Sequence, residues 1–497
     1  MIPGRRKFSR TRTGCWTCRQ AGYKCDEVKP ACGRCTRLKI ACEGYAPRLV
    51  WRDTATPESG GRSRKRKQTS EEAPTSGLRY HFATPSTTST GPAPQSIKSE
   101  DAVDVVPREL LSPHSSPASM AQGLRVEEYR HLHHWTTVVA PLLSVTSKAE
   151  VNPFQRHFIP MAYDNGSLRY TMLLCAAKHL SLLVNQPQDQ QLILRYQGLA
   201  LRNLNEALSD ENEALSNPTL AAVLLMQLSQ MFASDQESRA DHLVGAKYII
   251  AKRHRLANNP DSCGRFLESL FKYHDVMSSI TRSDRPLLNH DCPPASDSDA
   301  FLGSIEPLLE IISQISELQP RKKLISQNSV EDTDEATSDS FIRISGSLLE
   351  TQLESWNSPR KDADWFNTAE AFRHAAFIYL YRVIDDIGAP DPRTLYHVKQ
   401  CVEALRSTAI TSPLLSIHAW PIFTAGCEAL EASERDFCRQ RLDDMFNDRK
   451  LLSLLRVKRA MEDVWDQKDR EALFGADVGK LDCINVLKQK GSNIDLG

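Results

Sequence analysis

A small cysteine-stapled module at the N-terminus, a linker that does not fold, and a large all-α region make up the architecture this sequence predicts. Three observations predict it. Six of the thirteen cysteines fall between Cys15 and Cys42 as C-x2-C-x6-C-x6-C-x2-C-x6-C, one unit written twice. From about residue 124 onward, apolar residues recur at helical spacing. Between the two, from Gln68 to about Gly123, the chain is rich in Ser, Thr, Pro and Ala with few large apolar side chains, and such a segment cannot bury enough surface to offset its ordering entropy. The boundaries that follow are a basic arm at 1–12, the cysteine module at 13–46, a disordered linker with a basic run at 47–123, the helical domain at 124–470 and a C-terminal tail at 471–497.

The other seven cysteines, Cys175, Cys263, Cys292, Cys401, Cys427, Cys438 and Cys483, lie singly through the chain. The first residues, Met-Ile-Pro-Gly-Arg-Arg-Lys, hold no apolar run after a basic region, so no signal peptide is expected and the thiols are read as reduced. In a reducing compartment, two C-x2-C pairs with further cysteines at fixed offsets read as a zinc site, because Zn(II) takes thiolates in tetrahedral geometry. Six thiolates do not fill two separate tetrahedra, so a pair of independent zinc knuckles lacks ligands. The count closes when two sulfurs bridge both ions, and the internal repeat nominates the first cysteine of each half. One zinc then takes Cys15, Cys18, Cys25 and Cys32, and the other takes Cys32, Cys35, Cys42 and Cys15.

Thr13-Gly14-Cys15-Trp16-Thr17-Cys18-Arg19, then Lys24-Cys25-Asp26-Glu27, then Lys29-Pro30-Ala31-Cys32-Gly33-Arg34-Cys35 together resemble the Zn2Cys6 binuclear cluster of fungal transcription regulators. The resemblance implies two halves, each a short helix and an extended strand on the metals, with the C-terminal end of the first helix in the DNA major groove. It also matches Lys29-Pro30 to a proline, cis in some members, in the loop joining the halves. Arg19 and Lys24 match positions that reach phosphates, Lys29, Arg34 and Arg37 are expected to help them, and in that family Arg34, Arg37 and Lys39 flank rather than read the groove. Ala21 and Gly22 stand where that family has a basic pair, Gly22 at the base-reading lysine itself. A basic side chain on guanine O6/N7 is the commonest specific contact, so the departure leaves the readout to Gln20 or Tyr23, or to phosphate contacts.

Residues 1–70 hold eighteen Lys/Arg and five Asp/Glu, a net of plus thirteen in a chain whose formal charge is zero. That asymmetry is the footprint of a nucleic-acid-binding head. Arg48 and Arg52, on a short extended exit over 43–52, are in reach of the DNA backbone, and Arg5, Arg6 and Lys7 repeat the theme. Arg62, Arg64, Lys65, Arg66 and Lys67 form a basic run that reads as a nuclear-import signal or a DNA-backbone tether. Ser112-Pro113 and Ser116-Pro117 are phosphorylation candidates. Pro47, Pro57, Gly60 and Gly61 occupy the place where a coiled coil would start, so pairing is expected through the helical domain or with another factor.

In the helical region, Phe266, Leu270, Tyr273, Met277 and Ile280 repeat at steps of four and three, and Phe372, Ala376, Tyr379, Leu380 and Val383 repeat that geometry. Asn217-Pro218 reads as an N-cap followed by a first-turn proline, and Pro293–Asp299 and Ser326–Ser340 read as loops. Asn152-Pro153-Phe154 with Pro160, the Leu173–Leu180 helix with His179, His242-Leu243-Val244-Gly245-Ala246, Ala371 to Ala375 through Tyr381-Arg382, and Trp420 to Glu428 are similar, in this order, to the second class of fungal-specific transcription factor regulatory domain. That resemblance implies a regulatory, effector-responsive role.

No phosphate-cradling Gly-rich loop and no His-Glu-x-x-His occurs. Asp385-Asp386 lacks a third acid at metal-binding spacing, and His131, His133 and His134 read as a partly exposed helix face. Trp420-Pro421 and Gly426-Cys427 read as packing and turn residues. Ala214–Ser234 lacks charge, but its Asn, Pro, Ser and Gln residues mark a buried helix rather than a membrane span. The combined expectation is no enzyme but a nuclear, zinc-dependent, sequence-specific DNA-binding regulator of RNA polymerase II transcription. It holds two zinc ions, and its partners are double-stranded DNA, the transcription machinery or co-regulators, and a second subunit of the same or another kind. The rival from a different class, motivated by Ala21-Gly22, is a zinc-stapled nuclear protein-interaction module with little DNA specificity.

Overall fold

The computed structural model describes residues 14–29, 31–42, 44, 49–50, 81–82, 125–146, 148–184, 190–235, 237, 240–256, 260–288, 302, 305–327, 333–491 and 494–497. The arm 1–12, Pro30, Arg48, Arg52, the run 62–67, Ser112, Ser116, Cys292 and the segment 293–299 lie outside the described residues, as does the linker 47–123 apart from two short strands. Those strands, β1 (Leu49–Val50) and β2 (His81–Phe82), pair antiparallel with Leu49 opposite Phe82 and Val50 opposite His81.

Two units divide the chain. The N-terminal one contains the cysteine module, with α1 (Trp16–Gln20) and α2 (Gly33–Arg37). Helices of five residues do not persist alone, since nucleation costs more than so few hydrogen bonds return. Their ends are held instead by sulfur and by backbone turns.

The second unit is helical throughout its described residues. Its principal helices are α3 (Val126–His134), α4 (Gly166–Val184), α5 (Gln190–Ala207), α6 (Asn217–Leu228), α7 (Leu243–Arg255), α8 (Ser262–Arg282), α9 (Glu306–Gln327), α10 (Thr333–Ser355), α11 (Ala363–Asp385), α12 (Pro392–Ser407), α13 (Ala419–Glu428), α14 (Ala432–Arg449), α15 (Leu452–Leu473) and α16 (Cys483–Lys490). The periodic residues of α8 and α11 named above are all buried, as a 3.6-residue stripe facing a core requires. Phe154, Phe158 and Phe266 meet edge to face at 5.2–6.1 Å between centroids, and Phe372 lies 5.3 Å from Trp420. Helix α6 is buried on nearly every side, from Thr219 to Met226 and at Leu228. Among the described residues no helix is long and apolar enough to cross a membrane.

Several local expectations differ from the structure. The N-cap of α6 is Ser216, whose hydroxyl accepts from the Thr219 N–H at 3.4 Å; Asn217 is already helical and turns its amide to Asp261. Residues 333–340, expected to be loop, form the first turns of α10. Residues 471–497, set apart as a tail, carry a 3-10 turn and α16, with Ile484, Val486, Leu487, Ile494 and Leu496 buried. Gly426-Cys427 lies inside α13 rather than in a turn, although Trp420, Pro421 and Cys427 are buried packing residues as expected. Of the three histidines, His131 is buried, His134 is half-buried and bonds His179 at 2.8 Å, and His133 is exposed, a partly exposed helix face.

The buried carboxylate Glu428 is matched by two cations. Glu428 accepts from Arg382 at 2.5 Å, from Lys468 at 2.6 Å and from the Ala389 N–H at 2.9 Å, beside a cavity of about 300 Å³. Burial alone would raise this carboxyl, but Lys468 and Arg382 outweigh it and hold it below its ordinary 4.5. The stabilisation it contributes is therefore present above pH 4.5 and lost as pH falls through the folded value. Glu428→Gln strands two buried cations and is expected to cost about 3 kcal/mol in a urea titration at pH 7. The gap from wild type should close as the same titration is repeated at pH values falling below 4.5.

Candidate metal centre and nucleic-acid interface

The module is built twice from the same parts. Cys15 and Cys32 each cap a helix, their sulfurs accepting the N–H groups of Cys18 at 3.4 Å and Cys35 at 3.3 Å. Each helix then ends on a left-handed residue, Gly22 at φ 71° and Lys39 at φ 53°. In the first half, Gly22 N–H donates to Arg19 O at 3.3 Å and Tyr23 N–H to Cys18 O at 2.9 Å; in the second, Lys39 N–H donates to Thr36 O and Ile40 N–H to Cys35 O, both at 3.1 Å. This paired 5→2 and 6→1 pattern is the Schellman end, which satisfies carbonyls that a helix terminus leaves open. The two ends of each helix thus place its C-x2-C sulfurs on one side.

The sulfurs converge. Cys15 Sγ lies 3.7 Å from Cys32 Sγ and 3.9 Å from Cys35 Sγ, while Cys18 Sγ lies 3.6 Å from Cys32 Sγ. A tetrahedron with Zn–S bonds near 2.3 Å has an edge of about 3.8 Å, and these three separations match that length. Cys15, Cys18, Cys32 and Cys35 lie within 4.8 Å of one another, as do Cys25, Asp26 and Cys32, and Cys42 packs against the group. All described cysteines are free thiols. Burial pushes the Cys32 thiol up to about 12 and raises Cys15 and Cys35 as well, whereas at Cys42 backbone and sulfur hydrogen bonds outweigh burial and lower it. A bound Zn(II) deprotonates such thiols outright.

Hydrogen bonds reinforce the sulfurs from outside. Cys25 Sγ accepts the N–H groups of Cys15 and Glu27, both at 3.4 Å, and Arg34 reaches Cys18 Sγ at 3.8 Å. Gly14 is required by close approach, because a Cβ there would stand 2.7 Å from the Cys25 Cβ. The Asp26 carboxylate, given no role from the sequence beyond the motif, accepts the Gly33 N–H at 2.9 and 3.1 Å and ties the first half to the start of α2.

Residues 13–52 match the family model for the fungal Zn(2)-Cys(6) binuclear cluster domain, and residues 130–496 match that for the fungal specific transcription factor domain. The chain belongs to the fungal specific transcription factors. Among its relatives, the pestheic acid cluster transcriptional regulator 3 of Pestalotiopsis fici is 22% identical over 92% of this chain and 95% of its own length. A transcriptional regulatory protein of Schizosaccharomyces pombe is 21% identical over 92% of this chain and 93% of its own. A Zn(2)-C6 fungal-type transcription factor of Gibberella zeae is 26% identical over 39% of each chain. No solved structure matches. The chain is a zinc-dependent, sequence-specific DNA-binding transcription regulator whose N-terminal module holds two zinc ions.

In this fungal regulator the candidate DNA contacts divide into two groups. Tyr23, Lys24, Lys29 and Arg37 are exposed. Arg19 and Arg34 are half-buried and drawn inward, Arg19 with its guanidinium 4.3 Å from the Trp16 ring centre and Arg34 4.0 Å from that of Tyr23. Stacked over a ring and bonded to Cys18, Arg34 has work inside the module that the sequence did not reveal. Gln20 is the last residue of α1, and its side chain lies outside the described residues.

The left-handed positions yield a paired prediction, since metal binding and folding of such a module are one equilibrium. Gly22→Ala puts a Cβ at positive φ and should weaken zinc retention by about 1 kcal/mol, whereas Lys39→Gly relieves the same strain and should strengthen it by about as much. Competition of the full chain against a chromophoric chelator reads both as opposite shifts of about fivefold.

Proposed function

We propose that Cys15, Cys18, Cys25 and Cys32 hold one zinc, that Cys15, Cys32, Cys35 and Cys42 hold the other, and that Cys15 and Cys32 bridge. The observation that carries this is the set of sulfur separations: the Cys15–Cys32 edge belongs to both tetrahedra, Cys18–Cys32 to the first alone and Cys15–Cys35 to the second alone. When bound, the metal supplies structure and charge balance, and the chain's own residues do the recognition. Ion counting on the purified full chain tests the assignment. Cys15→Ala and Cys32→Ala should each lose both ions, whereas Cys42→Ala should retain about one. Retention of one ion by Cys32→Ala would overturn the bridging role.

The module acts on promoters read by RNA polymerase II in the nucleus, with Arg62, Arg64, Lys65, Arg66 and Lys67 as the import signal. Lys24, Lys29 and Arg37, helped by Arg19 and Arg34, grip phosphates, and base readout falls to Gln20 or Tyr23. The chain has no catalytic role; co-regulators and a second subunit engage the helical domain. With roughly five phosphate contacts, log affinity should fall against log salt with a slope near minus four to minus five. A flat dependence in a fluorescence titration would remove the electrostatic part of this reading. Selection of random duplexes by the full chain separates it from the interaction-module rival, which enriches no motif.

A further inference from the structure

We infer that Cys427 and Cys483 form a peroxide-sensitive dithiol site in the helical unit, which closes to a disulfide and ties α16 to α13. The inference goes beyond the metal and DNA readings of the N-terminal module and depends on neither.

The two thiols lie far apart in the sequence and meet at one cleft. Cys427 sits in the last turn of α13 and is 1% exposed; Cys483 is the first residue of α16 and is half-buried. Cys483 lines the cleft of about 300 Å³ beside Glu428, together with Phe423 and Thr424. Phe423 and Thr424 stand one turn before Cys427 and Glu428 follows it, so the part of α13 that Cys483 meets is the part that carries Cys427. The side chain of Cys483 is a hydrogen-bond partner of the Cys427 thiol.

Other thiols of this unit are engaged differently. Cys401 Sγ donates to the carbonyls of Ala371 at 3.4 Å and Pro421 at 3.7 Å, and Cys175 Sγ to that of Leu225 at 4.0 Å. Cys263 Sγ meets Met161 Sδ at 3.8 Å, and Cys438 is fully buried. Cys427 and Cys483 combine a partner thiol with a route to solvent. In a reducing compartment a disulfide from such a pair is transient and redox-sensing rather than structural.

Access divides the roles. Cys483 opens on the cleft and meets the peroxide, and Cys427 lies behind it as the resolving thiol. Burial holds the Cys427 thiol well above its ordinary range and the adjacent Cys483 adds to that, so Cys427 stays protonated until an activated sulfur is beside it. The Cys483 sulfur attacks hydrogen peroxide: an S–O bond forms, the O–O bond breaks, and the thiol proton leaves with the departing oxygen as water. The Cys427 sulfur then attacks the sulfenic sulfur: an S–S bond forms, the S–O bond breaks, and the Cys427 proton leaves with the hydroxide as water. Two thiols and one peroxide give one disulfide and two waters. Reduced, α16 is held by the burial of Ile484, Val486 and Leu487 and by Lys488 on Ser283 Oγ at 2.9 Å; the disulfide adds a covalent tie at its other end.

The test treats the full zinc-loaded chain with about one equivalent of hydrogen peroxide, alkylates remaining thiols after denaturation, and maps the unreduced peptides by mass spectrometry. The peptides carrying Cys427 and Cys483 should appear linked, lighter by two hydrogen atoms, and separate again on treatment with a dithiol. Cys483→Ser should slow oxidation of Cys427 by at least about tenfold. Cys427→Ser should leave Cys483 as a sulfenic acid that dimedone traps. Circular dichroism of both variants confirms that the helices are kept. The inference is overturned if Cys483 advances to sulfinic acid while Cys427 stays alkylatable, if Cys483 couples to a different cysteine, or if both thiols survive a peroxide dose that already releases zinc from the module. Zinc content followed in the same samples keeps any of these failures distinct from a failure of the metal reading.

Discussion

Cys15 and Cys32 stand 3.7 Å apart, each at the start of a helix too short to exist alone, and the N-terminal module depends on that approach. Each sulfur does two things: it accepts a backbone N–H as a helix cap, and it faces its twin across the centre of the cluster. Both roles favour negative charge on sulfur, the first because helix N-termini attract anions. Two such charges at this distance repel strongly unless cations lie between them. Metal binding and helix formation are consequently one event, and neither five-residue helix has an independent reason to form.

The surrounding side chains follow from that constraint. Six thiolates with two Zn(II) leave a formal charge of minus two, and the module answers it first from within, through Arg34 at Cys18 and through backbone donors to Cys25. A cation used in this way is less available to DNA. Arg34 and Arg19 are both drawn onto rings of the module itself, which leaves Lys24, Lys29, Arg37 and Lys39 as its outward cations among the described residues. The sequence's excess of eighteen basic residues over five acidic ones in 1–70 thus overstates what meets the duplex.

Legibility differed with the range of the interaction. The zinc count could be read from spacing, because metal geometry acts between cysteines a few residues apart. The buried stripes of α8 and α11 were equally plain, since periodicity is local. What stayed hidden was decided by partners far along the chain. Glu428 is a single acid in an apolar run until Arg382, 46 residues away, and Lys468, 40 residues away, close on it. Ser216 takes the cap of α6 in part because Asn217 is held by Asp261. The last helix, α16, is eight residues long and shows no stripe of its own, yet it buries Ile484, Val486 and Leu487. Arg34 looked like a surface charge because nothing local shows that Tyr23 and Cys18 would receive it.

Duplication explains how one module can divide its labour. A repeat written twice begins with two equivalent helix ends, and one of them can lose its cations without cost to the cluster as long as the turn survives. Gly22 is the residue that such a loss favours, because the Schellman end needs positive φ and glycine supplies it with least strain. Lys39 shows the opposite choice at the twin position, keeping a side chain where the backbone prefers glycine. The asymmetry cannot come from the metals, whose ligands the two halves supply alike.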